Sequence, residues 1–448
     1  MIDAPLASLG QVVDQWPTVA EVIAVLTLRS GFNTTVVTIG TTLFGLAAGV
    51  IGVFALLRKR AMVTDALSHA TLPGIGLAFV IAVALGETGK SLPILLLGAA
   101  VTAAVGAACL QAILRYTRLH EDAASGIVLS VGFGAGIVVL SYVQANMPAG
   151  AAGLKGFIYG QTAAMGARDA VFMGVTAVIS ILIVVAMLKE LSLVSFNDAF
   201  ARVGGIRVGL VDFGVMVLVV VVTVAGLQAV GLLLVVAMLI IPPVAARFWT
   251  ERLWLMVVLA GVIGGMSGYL GASVSALLPR KPAGAVIVLL AGAIFALSLL
   301  FAPARGVIAA AVRRVRLRIQ IAADHALESA FESRDAESDL AVVLQRVAAQ
   351  RGWPRWLTPI IRSALRRRGF AHGSGAAILI TGAGLERGAE VCRNHALWTQ
   401  YLVGYADVAT NHVDWSVDQV EHVLSGQLIA ELEGELIAKG IAVPRVPA

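Results

Sequence analysis

Apolar residues fill the first two thirds of the chain in blocks of roughly 20, separated by short charged or glycine- and proline-bearing stretches. Blocks of that length span the hydrocarbon core of a bilayer when helical. They predict transmembrane helices near 34–57, 66–86, 92–114, 125–145, 169–188, 208–227, 229–247, 253–275 and 284–302. The stretch 208–247 is almost continuously apolar, and only Gly226, Gln228 and Gly231 mark a break, so the pattern allows eight or nine spans. Pro242-Pro243, just before Arg247, predicts a broken helix. Pro282-Ala-Gly284 predicts another break ahead of the last span. Such interruptions line cavities in transport proteins, although each alone more often just ends a helix. Residues 1–31 are mixed and read as a surface-lying segment, without a basic stretch leading into an apolar core.

Between the fifth and sixth blocks, residues 189–207 are too long and too patterned for a simple turn. Leu193, Phe196, Phe200 and Val203 recur at helical spacing, Asn197-Asp198 can start a short helix, and Gly204-Gly205 can end it. A short amphipathic helix of this kind lies on a membrane or docks into a partner protein, and the pattern alone weighs the two about equally. After residue 302 the pattern changes. Arg313-Arg-x-Arg-x-Arg318 reads first as a basic juxtamembrane anchor to acidic lipids of the bilayer. Residues 324–340 are acidic and polar and read as a linker with partial helix. Helical patterns at 340–350 and 357–368, separated by Gly352-Trp-Pro354, precede a strand-like run, Ala376-Ile-Leu-Ile-Thr-Gly382. Helix, turn, helix, strand is the order of a winged helix-turn-helix, with little strand. The predicted organisation is a surface segment (1–31), a transmembrane domain (32–306), a linker (307–338) and a small, mainly α winged-helix-like domain (339–448). The fold class is an all-α polytopic membrane protein carrying that extra domain.

Composition supports the membrane reading. Of 448 residues, 58% are hydrophobic and only 13% charged, with a mean hydropathy of +0.89. A soluble domain is nearer half apolar and a quarter charged. The net charge of +6 is therefore no argument for nucleic acid, because cytoplasmic loops collect Lys and Arg. With nine spans, Arg58-Lys59-Arg60, Arg115 with Arg118, Lys189 with Arg202 and Arg207, and Arg247 with Arg252 share one side, which is then the cytoplasm. Arg280-Lys281 dissents. This orientation places the chain in the cell membrane with its C-terminal domain in the cytoplasm. Two cysteines, Cys109 and Cys392, provide neither a disulfide framework nor a CxxC metal site.

The most suggestive chemistry lies in Asp65-Ala-Leu-Ser68-His69-Ala-Thr-Leu-Pro73-Gly74. An aspartate and a histidine four apart share one helix face, within reach of a single ion. Ionisable groups inside a span are costly and usually face a partner or a polar path. The bland alternative is a helix cap and a satisfied imidazole, about as frequent on spacing alone. His69 lies roughly 13 Å beyond Arg60 along a helix, a depth that suits a pore-facing residue better than an interfacial cap. Ser68 reads as a packing or helix-bonding residue.

That motif resembles the signature of the permease subunits of metal-ion ABC importers, the zinc, manganese and iron family. Further matches follow in the family's order: Glu121-Asp122-x-x-x-Gly126-Ile-Val, Gly156-Phe-Ile-Tyr-Gly160-Gln161, Phe196-Asn-Asp-Ala-Phe-Ala-Arg202-Val-Gly204, Gln228-Ala-Val-Gly231 running to Pro242-Pro-x-Ala-Ala-Arg247, and Pro282-Ala-Gly-Ala285. The resemblance implies an ABC importer permease fold. It also implies a second permease copy or paralogue, a cytoplasmic ATPase subunit and a metal-binding solute receptor as partners. Asp65 and His69 become ion ligands along the path, a donor pair that suits Mn, Fe or Zn. Phe196, Asp198, Phe200, Arg202 and Gly204 become part of the coupling helix that docks on the ATPase. The chain has no Gly-x-x-x-x-Gly-Lys-Ser/Thr phosphate loop, so ATP hydrolysis falls to the separate subunit and the chain is not an enzyme. No permanently bound cofactor is expected. The metal is the substrate, manganese foremost with zinc or iron as alternatives, and a regulator in the cytoplasmic domain.

The tail carries a second resemblance. Thr381-Gly-Ala-Gly-Leu-Glu-Arg-Gly388, Cys392-Arg-Asn-His395-Ala-Leu-Trp398 and Asp418-Gln-Val-Glu421-His422 resemble the wing-to-dimerisation region of diphtheria-toxin-repressor-type metalloregulators. The resemblance implies His395, Asp418, Glu421 and His422 as manganese or iron ligands that sense cytosolic metal. Two departures stand against an intact site. The repressor's first helix, which supplies further ligands, has no match in 321–340, and Thr399 stands where the repressors keep an acidic or equivalent ligand. The alternative is a retained fold that only dimerises. Arg362, Arg366, Arg367 and Arg368 fall on or just after the would-be recognition helix, but DNA contact is the disfavoured reading. His412 reads as a solvated loop histidine. Two rivals are a membrane-tethered, metal-responsive transcription regulator and an ion-gradient-driven metal carrier.

Overall fold

A computed structural model describes residues 17–58, 61–86, 92–147, 162, 165–278, 282–332, 340–354, 356–373, 378–404, 426–438 and 443. The chain divides into two compact units, Met1–Ala309 and Ala310–Ala448.

In the first unit, α1 (Val19–Leu26) is closed at its start by a capping box between Thr18 and Glu21. Then come α2 (Phe32–Leu57), α3 (Ala61–Ala84), α4 (Leu92–Tyr116), α5 (Glu121–Asn146), α6 (Ala167–Ala186), two short helices α7 (Leu188–Phe196) and α8 (Asp198–Val203), α9 (Val208–Val230), α10 (Leu232–Trp249), α11 (Leu253–Leu277) and α12 (Ala283–Phe301). Among the described residues, nine of these helices are long and apolar enough to cross a membrane. The ambiguous stretch 208–247 is two helices, and Gly231 makes the break at φ +80°. That left-handed φ is open to glycine and strained for other residues.

The helix break predicted at Pro242-Pro243 is not found, because α10 runs through both prolines to Trp249. Pro243 has no N–H for the carbonyl of Leu239, one turn earlier. Gly52 of α2 backs directly onto that oxygen, where a Cβ would come within 2.1 Å. Neighbouring helices commonly cover freed backbone groups in this way inside membrane bundles. Pro282, by contrast, does mark a boundary and caps the start of α12.

One core joins α2, α6, α9, α10 and α11, with Ile287 and Ala291 of α12. A second close seam is α2 on α11, where a Cβ on Gly45 or Gly49 would lie 2.2 Å from the carbonyl oxygen of Gly264 or Ala260. Small residues allow such approach where water supplies no drive for helices to associate. Two further clusters gather α3, α4 and α5 against Met216, Val224 and Leu227 of α9. Thus α3 lies between α4 and α5.

α13 (Val307–Glu332) leads into the second unit, followed by α14 (Leu340–Arg351), α15 (Leu357–Arg367), the strands β1 (Ala371–His372) and β2 (Leu379–Ile380), α16 (Gly382–Gly404) and α17 (Gly426–Ala438). The strands pair antiparallel, Ala371 opposite Ile380. The expected linker character of 324–340 is corrected over 324–332, which is helix and buried from residue 324 to 328. Ala322, Ala323, Ala326, Leu327 and Ala330 form a stripe packed with Leu344 and Val347 of α14 and with Ile361 and Leu365 of α15. Alanines at helical spacing bury well, and the charged residues among them acquire partners.

Candidate functional site

α3 presents Asp65 and His69 on one face, with Asp65 Oδ1 3.5 Å from His69 Nε2. Two ligands held at about 2.1 Å by one tetrahedral ion stand about 3.4 Å apart. The separation is therefore right for a shared ion and long for a direct hydrogen bond. Both side chains are partly open, at 36% and 21% exposure. The far side of the imidazole is enclosed. Phe133 of α5 meets it edge-on, with ring centroids 5.3 Å apart, and Nδ1 is buried with no hydrogen-bond partner among the described residues. Gly132 lets α5 come this close, since a Cβ there would lie 2.9 Å from Ala70 Cα. Ser68 is buried and donates to Thr64 O at 2.8 Å, the helix-bonding role expected of it. Pro73, inside α3, withholds an N–H from the carbonyl of His69.

The segment 189–207 forms α7 and α8, joined at Asn197, whose side chain accepts from Phe200 N at 2.9 Å and so caps α8. Leu191, Val194 and Ala201 are buried, whereas Phe196, Phe200 and Val203 are 67%, 61% and 88% exposed. One face is thus anchored in the bundle and the other shows an aromatic, apolar stripe. Arg202 is exposed beside Asp212 and Arg115 in a shallow hollow. Gly204 ends α8, and the left-handed residue is its neighbour Gly205, at φ +80°. Asp198 turns toward the bundle, where Arg58, which follows α2, holds it at 2.6 Å and also holds Asp212 at 2.8 Å. Burial opposes the charge of Arg58, yet the two carboxylates together keep its pKa above the ordinary guanidinium value.

In the second unit His395 sits on α16, its Nδ1 3.6 Å from Glu328 Oε1 on α13. The other oxygen of Glu328 lies 3.2 Å from His325 Nδ1. Arg351 can only donate to His325 Nε2, at 3.1 Å, so Nδ1 is the nitrogen that donates to Glu328. Asp324, buried, pairs with Arg387 at 3.1 Å. Glu328, Glu332 and Cys392 each offer one ligand atom within 4.8 Å of the others. Asp418, Glu421 and His422 lie outside the described residues, as does His412. The hydroxyl of Thr399 is buried without a partner among the described residues.

Glu328, Glu332 and His325 were not among the residues expected from the sequence. The available signal was Asp324-His325-x-x-Glu328, an acid–imidazole pattern on an alanine-rich helix. Of the arginines on or after the would-be recognition helix, Arg367 and Arg368 line a groove with Arg313 and Arg316 of α13.

Residues 32–302 match the profile of the ABC 3 transport family, and residues 381–436 match that of the iron dependent repressor, metal binding and dimerisation domain. The manganese transport system membrane protein MntC of Bacillus subtilis is 36% identical over 384 residues, 85% of this chain and 87% of its own length. That alignment is too long to end at residue 302, so MntC shares part of the tail. The zinc transport system membrane protein TroC of Treponema pallidum is 41% identical over 297 residues, 66% of this chain and 98% of its own length. A solved structure, PsaBC from Streptococcus pneumoniae in complex with Fab, aligns with a TM-score of 0.55 and 28% identity over 64% of this chain and 98% of that one.

Proposed function

Because the chain belongs to the ABC 3 transport family, we propose that it passes divalent transition metal ions, manganese foremost, through the cell membrane as the permease of an ATP-driven importer. It is a membrane subunit of a transporter and not an enzyme. The observation that carries the reading is the 3.5 Å pair of Asp65 and His69 on a membrane-spanning helix. One carboxylate and one imidazole suit manganese, iron or zinc, and no thiolate is there to favour a softer ion. Two protein ligands leave most of an ion's coordination open, which a passing ion needs in order to leave again. The manganese preference rests on the name of a relative that is 36% identical over 85% of the chain. A solute receptor delivers the ion, a second permease copy or paralogue completes the path, and the stripe of Phe196, Phe200 and Val203 docks on the ATPase. In proteoliposomes holding the complete transporter, Asp65→Asn and His69→Ala should each lower manganese uptake by about tenfold or more, since loss of even an outer-shell partner of a metal ligand typically costs about 10–100-fold. Normal uptake with both residues replaced would remove them from the path.

The tail supports a second reading, feedback by cytosolic metal. Glu328, His395, Glu332 and Cys392 converge from two helices, and carboxylates with imidazole accept manganese or iron while a thiol adds affinity for zinc. The donors fit such an ion, with Glu328 at the centre because both its oxygens face imidazoles. Occupancy would tie α16 to α13, the helix that follows the last span, and bias the transporter toward rest. Such bias requires different metal affinity in the two transporter states. Full-length chain with Glu328→Gln should bind at least one metal ion fewer at equilibrium. Unchanged stoichiometry and affinity would discard the sensor.

A further inference from the structure

We propose that Arg58 is a positioning residue that conveys movement of the ATPase-facing segment to the helix carrying Asp65 and His69. Its guanidinium reaches three acceptors on three elements: Val194 O of α7 at 2.7 Å, Asp198 Oδ1 of α8 at 2.6 Å and Asp212 Oδ2 of α9 at 2.8 Å. The side chain is 15% exposed and that of Asp212 13%, so this is not a solvated surface pair of little consequence. A planar guanidinium fixes the direction of each bond, which a lysine ammonium would not.

Its place in the chain gives the contact its consequence. Arg58 caps the end of α2, α3 begins at Ala61, and Asp65 stands in the second turn of α3. On the other side, α7 and α8 are short, and helices of this length do not hold themselves in place. Their apolar stripe faces outward, so a partner pulling on Phe196 and Phe200 loads the inner face, where Arg58 grips both Val194 and Asp198. The load then arrives at the end of α2, where Arg58 stands three residues ahead of the start of α3. The network also leaves Arg58 Nε buried without a partner among the described residues. An unpaired buried N–H is a cost that a device serving stability alone would shed.

The inference rests on the reading of 189–207 as the ATPase contact, and the test separates the two. The complete transporter, with its ATPase and receptor, is reconstituted in proteoliposomes, and manganese taken up is measured per ATP hydrolysed. Arg58→Lys and Asp212→Asn should each lower that ratio by about tenfold, within the 5–150-fold usual for coupled sites, while the ATPase still co-purifies. The exchange Arg58→Asp with Asp212→Arg should recover part of the ratio. Should Arg58→Lys not accumulate in the membrane, Asp198→Asn supplies the reading, since Asp198 is the more exposed partner. An unchanged ratio in the variants that do accumulate overturns the proposal. So does a fall in uptake and hydrolysis together, in step with lost protein, which marks a structural staple. Retention of the ATPase by Phe200→Asp would instead overturn the docking reading beneath it.

Discussion

At the scale of the residue, two kinds of position govern this protein. Asp65 and His69 are set by spacing within one helix, and any reader of the sequence finds them because helical geometry is local. Glu328 and His395 meet only through packing of α13 on α16, so no spacing rule joins them. Arg58 is legible merely as one of a basic triplet, and its grip on Asp198 and Asp212 appears only in three dimensions. Glycines make up the other kind. A Cβ at position 49 would lie 2.2 Å from Ala260 O, in backbone that cannot swing aside. Gly49→Ala should therefore destabilise the bundle by about 1–3 kcal/mol, the usual cost of overpacking. The check is a lower thermal midpoint in detergent, and Gly126→Ala, where nothing lies within 4 Å, is the control.

At the scale of the element, apolar block length predicted the spans well, since the hydrocarbon thickness sets helix length directly. Among the described residues, nine helices of membrane-crossing length occur where eight or nine spans were expected, and the deciding residue is Gly231. Gly231→Ala forces a side chain onto a φ of +80° with extended ψ, a cost of about 1–3 kcal/mol. It should lower the yield of folded protein on size exclusion far more than Gly209→Ala, which has open space around it. Proline misled because its penalty assumes that no neighbour covers the freed carbonyl, and Gly52 does so for Leu239. The segment 189–207 is helical, as its apolar period predicts. The period did not show that Asn197 divides it in two, or that Asp198 faces the bundle.

At the scale of the whole molecule, a transport family profile covers the first unit and a metal-regulator profile lies within the second. TroC aligns along nearly its whole length to only two thirds of this chain, so a permease of this family does without such a tail. A chain ending at residue 309 should therefore still take up manganese at low supply. It should also keep doing so in cells loaded with the metal, where the proposed feedback should slow the full chain. Equal slowing of both chains would show that feedback lies outside the tail.

The sequence by itself determined the membrane class, the span lengths, the helical pairing of Asp65 with His69 and the helical character of residues 189–207. All of these follow from hydrophobic block length or from helical periodicity, which act over a few turns of one helix. Tertiary structure alone decided that prolines 242 and 243 stay helical, that residues 322–328 are buried, that Glu328 meets His395, and that Arg58 binds α7, α8 and α9 together. Each of these depends on which distant backbone or side chain closes the fourth side of a site, and that is settled by packing among helices, which local pattern does not encode.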